Sequence, residues 1–65
     1  MKDCYEIFTE RFRAASEEAR EMCKIYWVKC HRVMLESGKQ EMISFTAQIL
    51  ARIMLVESDE RKAAA

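Results

Sequence analysis

Proline is missing from the 65 residues, and glycine occurs once, at position 38. The two residues that break helices most strongly are thus nearly absent, so long helices are open to almost the whole chain. A surplus of one charge is missing too, because eleven Lys and Arg balance eleven Asp and Glu. Dedicated binders of nucleic acid or anionic membrane usually carry net positive charge, and the balance argues against both. Long apolar runs are also missing. The longest, Ile53-Met54-Leu55-Val56, falls far short of the roughly 18 residues of a membrane helix. The start, Met1-Lys2-Asp3, is not followed by the apolar stretch of a signal peptide, so a cytoplasmic location is expected.

Motifs of catalysis and cofactor binding are likewise missing. The sequence contains no GxGxxG, no P-loop, no HExxH, no CxxC and no nucleophile elbow. No cofactor, no metal and no enzymatic activity are expected. Cys4, Cys23 and Cys30 are odd in number. Cys23 and Cys30 lie two helical turns apart, about 10 Å, too far for a disulfide between them. Reduced, packed thiols are the simpler expectation. With one histidine, His31, zinc is a poor fit. His31 and Cys30 are neighbours in sequence, but on a helix they diverge by 100° and do not form a dyad. Glu17, Glu18 and Glu21 sit near Arg13, Arg20 and Lys24 at helical spacing, which reads as a solvated face of ion pairs.

What is present is helical period. About half of the residues, 51%, are hydrophobic, too many for a disordered segment. From Cys4 through Phe8, Phe12, Ala15, Ala19, Met22, Tyr26, Cys30 and Val33 the apolar positions recur every three or four residues. Asp3 stands where an N-cap belongs, with Glu6 three residues on. A second seam follows: Met42, Phe45, Thr46, Ile49, Leu50, Ile53 and Val56. Carried through Gly38 as one helix, the two seams would point roughly 170° apart. A turn at Ser37-Gly38 removes that conflict, since glycine accepts the left-handed conformation that ends a helix. Ser37 with Gln40 reads as a capping box for the next helix. The terminal Ala63-Ala64-Ala65 is given no functional role.

The expected fold is a single all-α domain, an antiparallel two-helix hairpin with unequal arms. The helices run over about 3–36 and 39–61 with a turn at 37–38. The shorter arm leaves residues 3 to about 12 overhanging, with Tyr5, Ile7, Phe8 and Phe12 unpaired. Ile25-Tyr26-Trp27-Val28 points apolar groups in four directions, and Cys23, Trp27 and Met34 form a second stripe. A chain of this size buries only about 60% of its unfolded surface. The hairpin is therefore expected to be completed by oligomerisation or by a partner helix. The expected partner interface is Tyr5, Phe8, Phe12, Cys23, Tyr26, Trp27 and Met34, rich in the aromatics that dominate interface energetics. Ile49, Leu50 and Ile53 are assigned to the hairpin's own core.

A basic stripe, Arg13, Arg20, Lys24 and His31, with Lys29 and Arg32 nearby, is the best nucleic-acid candidate. Glu17 and Glu21 lie beside it and weaken its field. A small RNA-binding helical-bundle dimer is the alternative this stripe allows.

In layout, the turn "LESGKQEM" and the mixed stripe "ISFTAQILARIM" resemble the small co-chaperones of bacterial type III secretion needle proteins. Those are short helical hairpins with a long first helix, a tight turn and a shorter second helix. The resemblance implies a cytoplasmic protein that binds a second chaperone and helps keep a needle subunit monomeric.

Overall fold

The computed structural model describes residues 1–64; Ala65, the last of the terminal alanines, lies outside the described residues. Three helices account for nearly all of them: α1 (Cys4–Ala14), α2 (Glu17–Ser37) and α3 (Gln40–Ala64). No strand is present among the described residues. The all-α expectation holds, but the hairpin does not match in detail: its first arm is broken into two helices.

The turn falls at Gly38, whose φ of 74° and ψ of 10° are left-handed. Its N–H donates to the Met34 carbonyl at 3.1 Å, closing α2. Ser37 does not cap α3 as expected. It is the last residue of α2, and its hydroxyl donates back to the Met34 carbonyl at 2.8 Å. At the other end Asp3 caps α1, its carboxylate accepting from the Glu6 N–H at 2.9 Å.

The unforeseen break is at Ala15-Ser16. Both residues are extended, with ψ of 150° and 162°. Ser16 caps α2 by accepting from the Ala19 N–H at 3.2 Å. Arg20, one turn into α2, reaches back to the end of α1. Its Nε donates to the Phe12 carbonyl at 3.0 Å and its Nη2 to the Arg13 carbonyl at 2.9 Å. The Arg13 carbonyl, left open by the end of α1, is thereby satisfied, and the Phe12 carbonyl, which also accepts from the Ala15 N–H at 3.2 Å, gains a second donor. The gain from breaking the helix is apolar burial. An unbroken arm would leave Tyr5, Phe8 and Phe12 in water, where each ring forfeits about 1.5–3 kcal/mol of burial.

The chain runs up, down and up. Tyr5 meets Phe45 and Arg13 meets Asp59, so α1 lies parallel to α3. His31 meets Thr46 and Lys24 meets Glu57, so α2 lies antiparallel to α3. Both pack on α3, the central helix. The core is Phe12, Ile49, Ile53 and Val56, with Thr46 buried beside it. No residue of α2 is fully buried.

Candidate interaction surface

The seven residues expected at a partner interface are mostly used inside the chain. Phe12 is in the core, and Tyr5, Phe8, Cys23 and Trp27 pack against it. Met34 is half-buried and Tyr26 is exposed. All six aromatic rings form one connected cluster. Trp27 is its hub, edge-on to Phe8 at 6.1 Å and to Phe45 at 5.9 Å, with Tyr26 at 5.2 Å. The overhang on which the aromatic interface rested does not exist, because α1 folds back onto α3. Ile49 and Ile53 are buried and Leu50 is partly buried, as the core assignment required.

The inner face of α2 is Arg20, Cys23, Lys24, Trp27, Cys30, His31 and Met34, all half-buried. The seam expected there included Ala19, Met22, Tyr26 and Val33, and these are exposed. The break at Ala15-Ser16 explains the difference. It uncouples the rotation of α2 from α1, so a seam traced continuously from Phe12 enters α2 on the wrong face. The stripe Cys23, Trp27 and Met34, taken for an outer one, is the packing stripe.

Arg20, Lys24 and His31 turn inward as well. Arg20 pairs with Glu60 through two hydrogen bonds, the longer at 2.9 Å, and its guanidinium lies 5.0 Å over the Phe12 ring. Lys24 pairs with Glu57 at 3.0 Å and Glu21 at 2.7 Å, and Arg13 reaches Asp59 at 3.9 Å. Hydrogen bonds from Glu21 and then Glu57 hold the Lys24 ammonium above its ordinary value. His31 Nδ1 lies 2.7 Å from the Thr46 hydroxyl. That hydroxyl has Met42 and Ile43 carbonyls at 3.0 and 3.1 Å for its one proton, so it accepts from His31. Arg13, Arg20 and Lys24 of the stripe that resembled a nucleic-acid face thus meet carboxylates of α3, whereas Lys29 and Arg32 stay exposed with no ion-pair partner among the described residues.

The cysteines are free thiols. Burial pushes Cys23 up from its ordinary value, against a smaller opposing contact with Trp27, and keeps it protonated. A hydrogen bond with Cys30 raises the Tyr26 phenol. Among the described residues no group of three His, Cys, Asp or Glu side chains is placed to hold a metal ion. No helix among them is long and apolar enough to cross a membrane.

What stands open is the outer face of α2. Met22 is 67% exposed, Ile25 51%, Tyr26 56%, Val28 44%, Val33 56% and Leu35 53%. On α3, Met54 and Leu55 are exposed as well. The total surface reflects this. A compact monomer of 7.7 kDa should expose about 4,300 Å², and this chain exposes 5093 Å². The radius of gyration, 12.7 Å, likewise exceeds the roughly 11 Å of a compact chain of this length. Comparison with protein-family models, curated proteins and solved structures finds no significant match.

Proposed function

We propose that this chain is a non-enzymatic interaction module that acts by burying the outer face of α2 against another helix. One observation carries the reading: none of the 21 residues of α2 is fully buried, although apolar side chains surround the helix. A helix that is apolar on most sides needs protein on most sides. Here α1 and α3 cover one side. Exposed hydrophobes scattered singly mean little, but Met22, Ile25, Tyr26 and Val33 follow one another along a single helix at spacings of three, one and seven. A contiguous apolar patch of that kind marks an interaction surface.

A co-chaperone of the type III secretion needle class would use the same face to dock on a second chaperone. That resemblance rests on a long first helix and a shorter second one, whereas here α3 is the longest of three. An RNA-binding bundle draws less support, since Arg13, Arg20 and Lys24 already face carboxylates.

The test is photo-crosslinking in the native cell from a photoreactive residue at position 26, in the full chain. A covalent adduct larger than the monomer is expected. It should disappear when Met22, Ile25 and Val33 are all changed to glutamine, with helicity unchanged. If only monomer is recovered, the reading is wrong.

A further inference from the structure

The charges on α2 divide into two sets. Those on the inner face, Arg20 and Lys24, are paired with α3. Those on the outer face, Glu18, Lys29 and Arg32, have no ion-pair partner among the described residues. The outer face has a regular pattern. Glu18, Met22, Ile25, Lys29, Arg32 and Glu36 recur at alternating spacings of four and three, which places them along one line of the helix, with Met22 and Ile25 its apolar members. Its acidic end is reinforced by Glu17 and Glu21, and its basic residues follow Ile25.

Resting on the interaction reading above, we infer that the helix covering this face is α2 of a second copy, laid antiparallel about a two-fold axis at Ile25. With Ile25 against Ile25 of the other copy, Glu18 faces Arg32, Glu21 faces Lys29 and Met22 faces Val28, each pair occurring twice by symmetry. The unpaired charges Glu18, Lys29 and Arg32 then each meet an opposite charge, with Glu21 shared between Lys29 of the other copy and Lys24 of its own chain. A parallel pairing would set Glu18, Lys29 and Arg32 each against itself, so the charge order selects the antiparallel one. Two whole copies do not repel, since each has a net charge of zero.

The area agrees. The chain exposes roughly 750 Å² more than a compact monomer of its mass. A standard interface buries about 800 Å² per partner.

The experiment is sedimentation equilibrium of the reduced full chain over a range of concentrations, for the wild type and two charge-reversed variants. E18K/E21K makes the outer-face charges from 18 to 32 all basic, and K29E/R32E makes them all acidic. The wild type should dimerise. Each variant alone should dimerise about tenfold more weakly or worse, and an equimolar mixture should recover wild-type affinity. A second variant, Ile25→Cys, changes no charge. On mild oxidation it should give a crosslink mapped to position 25 in both chains, since the axis brings those thiols together. A wild type that stays monomeric overturns the inference, as does a dimer indifferent to both reversals, a mixture without recovery, or an Ile25→Cys chain that crosslinks elsewhere. A monomeric wild type whose position 26 still crosslinks to a different protein leaves the interaction module standing and removes only the second copy.

Discussion

The guanidinium of Arg20 touches all three helices. It donates to two carbonyls at the end of α1, lies over the Phe12 ring, and pairs with Glu60 near the end of α3. Arg13, by contrast, makes one long contact with Asp59 and both side chains are about half exposed, at 53% and 52%. Ion pairs of that second kind contribute little. Arg20→Ala should therefore lower the thermal midpoint clearly more than Arg13→Ala does, with both melts followed by circular dichroism. The pair also sets a pH dependence. Hydrogen bonding to Arg20 holds the Glu60 carboxyl below its ordinary value of 4.5. A carboxyl depressed in the folded state stabilises above its unfolded pKa and stops doing so as pH falls through the folded one. The wild type should thus lose stability as the solution is acidified below about pH 4.5, and Glu60→Gln should flatten that loss. A wild-type and a Glu60→Gln curve of the same shape between pH 3 and 6 would show that Glu60 is not the group responsible.

Helix boundaries follow from short-range chemistry, and two of them were legible. The Asp3 cap and the Gly38 turn need only one residue type at one place, and both form as read. The break at Ala15-Ser16 was hidden because alanine is the best helix former and the apolar spacing runs on through Ala15 and Ala19. A local signal was nevertheless there. Arg11 and Arg13 end α1, and Ser16 is followed at once by Glu17 and Glu18, which is the charge order of one helix ending and another starting. Missing that boundary also cost the candidate site, because the face of α2 was read from the phase of α1. The aromatic residues were picked as the centre of a partner interface, but most of them pack within the chain. No reading of residue types alone could distinguish burial by α3 from burial by a partner, since both need the same rings. The break rests on Ser16, so Ser16→Ala should cost about 1 kcal/mol of stability in urea denaturation, with the helical signal at zero denaturant unchanged. A rise in helical signal would mean that the arm had straightened and that the cap alone held the bend.

At the scale of the whole molecule, packing divides isoleucines of equal size into two roles. Ile53 is 2% exposed between the helices, while Ile25 is 51% exposed on the far side of α2. An aspartate at 53 would bury a charge with no partner, a penalty of several kcal/mol. A 65-residue domain has little more than that to lose. Ile53→Asp should therefore unfold the chain. At 25 the same substitution leaves the charge in water, and the only local cost is an aspartate in a helix, about 0.7 kcal/mol or less. Ile25→Asp should stay folded in dilute solution. It should fail to associate, because a charge is set where the outer faces meet. The decisive comparison is the concentration dependence of the melting temperature. Association binds the folded state alone, so the wild-type midpoint should climb as protein is added. The Ile25→Asp midpoint should start near the wild-type value at high dilution and stay flat. A variant that melts well below the wild type at every dilution would place Ile25 in the monomer's own packing and remove the outer face of α2 as the site of association.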